Sequence, residues 1–324
     1  MAKSYSRSLV IPNSGSVSAS LRPDLDDATN YARAEKAQAT RRAYRSDFEI
    51  FRAWCDARGA LPLPASPESV SAFLASEAKR GVRPSTLSRR LAAILCAHKL
   101  AGHASPTASE AVKATLRGIK RTTRAATNRK APATADKISA MAAATGDGAR
   151  DVRNRALLLL GFAGAFRRSE LVALDADDVQ FCDGGLRISI RKSKTDQEGE
   201  GATIAIVPGS FAWPVKATRE WLNTARIKTG PIFRPISKAG RVLNRRLSDR
   251  TVAEVVKAAA RRVGLKAEDF SGHSLRSGFL TSAARRGASI FKMMDVSRHK
   301  SVDTLRSYVR DAELFFDHAG TGLL

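Results

Sequence analysis

An unbroken run of eleven residues without a polar side chain, Ala156–Phe166 (ALLLLGFAGAF), ends directly on Arg167 and Arg168. The run is far shorter than the roughly 20 residues that span a bilayer. It reads as part of a helix, Asp151 to Ala165, buried inside a globular core. A guanidinium at the end of so apolar a segment is costly unless an anion compensates it. Arg167 therefore needs a partner, either Glu170 at i, i+3 spacing or a bound anion. A chain of 324 residues with 43% hydrophobic content can build one large core or two ordinary ones around such a helix.

Charge sets the class of partner. The chain carries 55 Lys+Arg against 31 Asp+Glu, a formal net charge of +24, and its pI is near 10.8. Such an excess points to a polyanion, and nucleic acid is the commonest one. The excess is spread along the chain: 23 Lys+Arg against 10 Asp+Glu in residues 1–130, and 32 against 21 in the remainder. Both halves are expected to touch one polymer, with binding that weakens steeply as salt rises. Cys55, Cys96 and Cys182 are scattered and odd in number. They support neither a disulfide framework nor a cysteine zinc site. With no long apolar region in MAKSYSRSLVIPNSG, the expected setting is a reducing cytoplasm and not a membrane.

Periodicity divides the chain. Residues 1–25, rich in Ser, Gly and Pro, read as a flexible arm. Residues 26–120 read as a compact helical bundle. One helix, Thr40 to Arg58, carries Tyr44, Phe48, Phe51 and Cys55 at spacings of four and three. The next opens Ser66-Pro67-Glu68, an N-cap, a first-turn proline and an acid at the positive helix end. Two more carry Leu87, Leu91 and Ile94, then Val112, Leu116 and Ile119. Residues 121–134 form a basic linker, with Arg124, Arg129 and Lys130 as candidate phosphate contacts. Arg89 and Arg90, beside the apolar stripe of the third helix, face either solvent or the DNA major groove. Residues 135–324 mix helices with two alternating stretches, Leu186–Arg191 and Thr203–Val207, joined by a polar hairpin tip. The fold class is thus mainly α with a small β-sheet or hairpin. Asp175, Asp177 and Asp178 read as a polar turn before a short strand, and His98, His103 and His318 have no partners at useful spacing.

Five short pieces of this second half carry the polar chemistry. Arg167 and Glu170 stand in Gly164-Ala165-Phe166-Arg167-Arg168-Ser169-Glu170-Leu171, and Lys194 lies near the hairpin tip. His273 and Arg276, in His-Ser-Leu-Arg at a helix start, share one face and can reach one phosphate. His299 follows a helix, and Tyr308 lies nine residues further on, in Tyr308-Val309-Arg310. Singly, each piece has an ordinary structural reading: an ion pair, a solvated lysine, a core tyrosine.

As an ordered set they resemble the tyrosine recombinases, the phage integrase family. Gly-x-x-Arg-x-Ser-Glu-Leu is similar to that family's first arginine box, with one extra residue after the glycine. His273-Ser274-Leu275-Arg276 resembles its second box, and Tyr308-Val309-Arg310 its nucleophile motif. Two positions depart from the pattern. Arg298 stands where the family usually has Gly before the second histidine, and Ser277 stands where another His often follows the second box.

The resemblance implies an N-terminal core-binding domain of SAM-like helical fold and a mixed α+β catalytic domain. It implies a site-specific DNA recombinase that cleaves and rejoins strands through a 3′-phosphotyrosyl link on Tyr308. Arg167 and Arg276 would clamp the scissile phosphate, with Lys194 the acid for the leaving 5′-oxygen. His273 would be a base or phosphate donor, His299 a phosphate donor, and Glu170 would orient the cations. No metal or cofactor is implied. The expected partners are a double-stranded DNA site and three further copies in a tetramer, with the C-terminal segment 311–324 docking on a neighbour. The alternatives are an inactive DNA-binding regulator on the same fold and a type IB topoisomerase-like enzyme.

Overall fold

The structure, a computed structural model, describes residues 19–123, 130–191, 201–210 and 213–313. The chain divides into two compact units, Met1–Thr127 and Asn128–Leu324. None of the described helices is long and apolar enough to cross a membrane.

The first described unit is helical throughout: α1 (Arg22–Ala34), α2 (Gln38–Asp56), α3 (Pro67–Lys79), α4 (Pro84–Leu100) and α5 (Glu110–Thr123). Ser66 caps α3 as its sequence predicts, accepting a hydrogen bond from the Ser69 N–H. The apolar stripes of α2–α5 meet in one cluster of Phe51, Phe73, Leu74, Leu87, Ile94 and Val112. Phe51 and Phe73 pack edge to face at 5.0 Å. His98 is fully buried there and structural, with Nε2 accepting from the Ala65 N–H at 2.9 Å. Helix α1 corrects the reading of residues 1–25 as an arm, since it starts at Arg22. Its start signals are present, with Pro23 and Asp24 in the first turn. What it lacks is an apolar stripe; Tyr31 is 78% exposed.

The second unit is built around α7 (Ala149–Ala163), whose Leu157, Leu158, Leu159 and Leu160 are all buried. A helix apolar on every side needs neighbours on every side. Here they are α6 (Ala135–Ala143), α9 (Pro214–Thr224) and α11 (Ser274–Arg285). Trp221 of α9 is completely buried, and its indole N–H donates to the Ile232 carbonyl at 2.7 Å. The short α8 (Arg168–Ala173) follows α7 after a tight turn and packs on α10 (Asp249–Arg262). Two further helices, α12 (Ile290–Ser297) and α13 (Val302–Glu313), close the described chain against α11.

Three antiparallel strands, β1 (Val179–Cys182), β2 (Gly185–Ile190) and β3 (Ala202–Ile206), pair in the order β1-β2-β3, with Leu186 opposite Ile206. Leu186, Ile188 and Ile190 alternate into the core. The turn before β1 is the Asp175–Asp178 segment. Arg191 donates to Asp175 at 2.5 Å and to Asp178 at 2.7 Å, and Arg246 donates to Asp175 at 2.6 Å. This clamp pins the base of the β2–β3 hairpin.

Residues 130–133 are stitched to the start of α11. The Ala131 N–H donates to the Asp269 carbonyl at 2.7 Å and the Ala133 N–H to the Ser274 carbonyl at 2.9 Å. The approach is possible because residue 278 has no side chain: a Cβ there would lie 1.8 Å from the Ala133 carbonyl oxygen. Gly278→Ala is expected to cost about 2 kcal/mol through overpacking. For a unit of this size that lowers the thermal unfolding midpoint by roughly 4–8 °C. Circular dichroism melts check it, and an unchanged midpoint would contradict the close approach.

Candidate active site

The end of α7 dictates the local geometry. Gly164 caps the helix, and Ala165 then takes a left-handed backbone, φ +44°. That turn swings the chain so that Arg167 becomes the residue preceding α8. Glu170, in the first turn of α8, reaches back to accept from the Arg167 N–H at 2.9 Å and from its Nη1 at 2.6 Å. The carboxylate is buried, its side chain only 1% exposed. It takes a second cation from a distant part of the chain, Arg298, whose Nη2 donates to Oε2 at 2.8 Å. Burial would raise the Glu170 pKa, but the Arg298 charge and the Arg167 hydrogen bonds outweigh it and hold the carboxyl below its ordinary range.

Arg276, two residues into α11, is 1% exposed. Its Nη1 donates to the Ala165 carbonyl at 2.7 Å, the oxygen turned inward by the left-handed step. Burial, then repulsion from Arg167, lowers its pKa to about 9, so it stays charged at neutral pH. Tyr308, half-buried against Leu280, Ala284, Met293 and Leu305, is near enough that its phenolate form would favour the charged form of Arg276. Packing of α13 on α11 brings them together.

His299 is held by two contacts. Ser297 Oγ lies 2.6 Å from the Met293 carbonyl and 2.7 Å from His299 Nδ1. The hydroxyl has one hydrogen and the carbonyl can only accept, so Nδ1–H donates to Ser297. Arg276 Nη2 lies 3.2 Å from both ring nitrogens, and Nε2, the one left with a lone pair, is its acceptor. Burial, then the charges of Arg276 and Arg167, pushes the His299 pKa down to about 4. In this state the imidazole is neutral and serves Arg276 as an acceptor. His273 sits at the start of α11 with its ring on the exposed side. The surrounding protein, then Arg276 and Arg167, holds it below the usual histidine range.

The structure therefore gathers Arg167, Glu170, His273, Arg276, His299 and Tyr308 into one electrostatically connected site. Lys194, Arg124 and Arg129 lie outside the described residues. Lys130 is exposed and donates to the Glu268 carbonyl at 2.5 Å. The paired arginines of α4 separate. Arg89 is half exposed and forks onto Asp47, with Nε at 2.6 Å and Nη2 at 3.1 Å. Arg90 is buried against Glu77 and Asp47. A guanidinium committed to two buried carboxylates has no face for a phosphate, which corrects the reading of Arg90 as a DNA contact. Sequence reasoning also missed Arg298 as a member of the site. Its signal was a long cation standing where the turn before a histidine favours glycine.

Comparison with known proteins gives one consistent result. Residues 133–314 match the phage integrase family. The chain is 38% identical over 290 residues to an integrase/recombinase XerD homolog of Selenomonas ruminantium, covering 88% of this chain and 85% of that protein. It is 26% identical over 281 residues to the recombinase Cre of Escherichia phage P1, covering 81% and 80%. Among solved structures, a lambda integrase dimer bound to a core site superposes with a TM-score of 0.60 at 20% identity, covering 91% of this chain and 96% of that one. The XerH recombinase in a post-cleavage complex with DNA gives 0.61 at 16% identity, covering 82% and 75%.

The depressed histidine has a consequence for stability. An imidazole whose folded pKa lies below its unfolded value resists protonation only while folded. Its contribution is therefore complete above about pH 6.5 and is lost as pH falls toward 4. Glu170, with its lowered folded pKa, acts in the same direction at the acid end. His299→Asn should remove on the order of 1–3 kcal/mol from the difference in unfolding free energy between pH 6.5 and pH 4.5. Urea titrations of both proteins at both pH values measure it, and identical pH dependence would refute the buried neutral imidazole.

Proposed function

The chain belongs to the phage integrase family, the tyrosine recombinases, and on that footing we propose that Tyr308 is the residue with which it attacks DNA. The activity is that of a site-specific recombinase, which cleaves and rejoins DNA strands. What supports the assignment of residues is one feature of the site: two guanidiniums from different elements, Arg167 and Arg276, share the neighbourhood of one buried carboxylate, and Arg276 also lies within electrostatic reach of Tyr308.

The phenol oxygen attacks the scissile phosphorus, forming a phosphotyrosyl bond at the 3′ side and releasing a 5′-hydroxyl. The phosphodiester energy is kept in that bond, so a second 5′-hydroxyl can reverse the step on a new strand. Negative charge grows on the non-bridging oxygens during attack. Arg167 and Arg276 meet it with planar forks that match phosphate geometry. Glu170 and the Ala165 carbonyl keep those forks in place beforehand, which removes the cost of organising them during the reaction. A tyrosine has a reference pKa of about 10 and needs help losing its proton. His273, neutral near pH 7, is the candidate acceptor. Lys194 supplies the proton to the leaving oxygen. His299 keeps Arg276 oriented through Nε2, and it donates to a phosphate oxygen only when that nitrogen takes up a proton, which a bound phosphate dianion or monoanion favours.

Arg89 of the helical unit and Arg124, Arg129 and Lys130 of the basic linker are the residues proposed to contact the phosphate backbone. The working assembly is a tetramer on two DNA sites. Its support is an open apolar groove of ≈ 770 Å³ lined by Ile138, Leu159, Phe162, Ala163, Phe279 and Val296. The C-terminal sequence Leu314-Phe315-Phe316, from a second copy, has the composition to fill it.

Two experiments test this reading. Tyr308→Phe should abolish covalent protein–DNA complexes on a nicked suicide substrate while leaving DNA affinity within about twofold, because the hydroxyl acts only in the transition state. Covalent complexes surviving in that variant would remove Tyr308 as nucleophile. Deleting residues 314–324 should reduce the fraction of paired sites in a synapsis gel shift by about tenfold, with single-site binding little changed. Equal loss of both would contradict the docking.

A further inference from the structure

Two residues of the second unit that are not glycine hold a left-handed backbone within the site itself, Ala165 at φ +44° and Arg298 at φ +57°. Such conformations cost roughly 1–2 kcal/mol each for a residue with a Cβ and persist where surrounding contacts enforce them. The enforcing contacts here run from one turn to the other. Arg298 follows α12, and its guanidinium crosses back to the end of α7. Nη1 donates to the Gly164 carbonyl at 3.2 Å and to the Val296 carbonyl at 2.5 Å. Nη2 donates to Glu170 Oε2 at 2.8 Å and to the Ala165 carbonyl at 3.4 Å. The fork lies over the Phe166 ring, 5.3 Å from its centroid. The side chain is 9% exposed, so nearly all of it is spent inside the protein.

Each half of this arrangement makes sense only with the other. The extra residue after Gly164 turns the Ala165 carbonyl inward, where Arg276 already uses it. A second donor to that turn has to arrive from outside it, and Arg298 is next to His299, the other partner of Arg276. A glycine at position 298 would adopt the same backbone without strain but would leave Glu170 with one cation instead of two.

We propose that Arg298 is a positioning residue for strand cleavage, a strut that locks the His299 turn to the Gly164–Ala165 turn through Glu170 and so holds Arg167, Arg276 and His299 in register before DNA arrives. It does not touch the phosphate; it acts through Glu170 and the two carbonyls. The inference rests on the site assignment given under the proposed function.

The test is single-turnover formation of the covalent complex on a nicked suicide substrate at saturating DNA, with DNA affinity and thermal unfolding measured in parallel. Arg298→Gly should slow cleavage by about tenfold or more, while the dissociation constant for DNA stays within about twofold. Arg298→Lys keeps a charge beside Glu170 but has no fork to span both turns, so its rate should fall between the two. If the strut works through Glu170, adding Arg298→Gly to Glu170→Gln should cost little beyond Glu170→Gln alone. Wild-type cleavage rates in Arg298→Gly, losses of binding and cleavage in equal proportion, or independent multiplication of the two substitutions would each overturn the proposal. Should Arg298→Gly unfold at the assay temperature, Arg298→Lys decides alone, a wild-type rate refuting the strut and a slowed one supporting it. A wild-type protein that forms no covalent complex, or a Tyr308→Phe variant that does, instead brings down the site assignment beneath it.

Discussion

A single buried carboxylate, that of Glu170, ties together the cations of the candidate site in the second unit. It accepts from Arg167 and Arg298, and its field reaches Arg276. Taking a carboxylate and guanidiniums out of water is expensive, and close pairing with good hydrogen bonds is what offsets the desolvation. The balance here is deliberately incomplete, since three guanidiniums surround one carboxylate. Positive charge left over in a poorly solvated site is a standing attraction for an anion such as a phosphate. Burial first, and the same excess of positive charge second, depresses the pKa values of Arg276 and both histidines.

The path of the backbone follows from that carboxylate. The apolar α7 delivers Gly164 and Ala165 to the interior, where free carbonyls would go unsatisfied. The arginines supply the donors: Arg276 to Ala165, Arg298 to both. The charged groups of the site therefore do structural work on the end of the most buried helix, and the helix end fixes the charged groups. Such mutual dependence explains how a non-glycine residue can sit in a left-handed turn on each side.

Much of this was legible in the chain. The stripes of Phe51, Phe73, Leu87 and Val112 and the Ser66 cap placed four bundle helices, and the run ending at Phe166 announced the central helix. The order Arg167, His273, Arg276, His299, Tyr308 pointed to the candidate site, whose members the structure brings together. Helix α1 escaped because a helix without an apolar stripe leaves no periodic signal, and α8 because six residues are too few to show one. The groove over α7 and α11 also left no sequence signature, being a gap between elements and not a pattern within one.

Ion-pair choice marks the boundary between the two kinds of information. Sequence by itself determined which elements form and which side chains can do chemistry, because helix periodicity, capping and the order of functional groups are written locally. Only the tertiary structure decided which cations remain available. Arg89 and Arg90 are neighbours in one helix, yet the first forks onto Asp47 from a half-exposed position and the second is sealed against Glu77. Arg298 stood out in the sequence only as a departure from the family pattern before His299, yet it is tied to Glu170, 128 residues earlier in the chain. The physical reason is range: a salt bridge forms between whatever charges packing brings within about 4 Å, and that proximity is a property of the folded core, absent from any short window of residues.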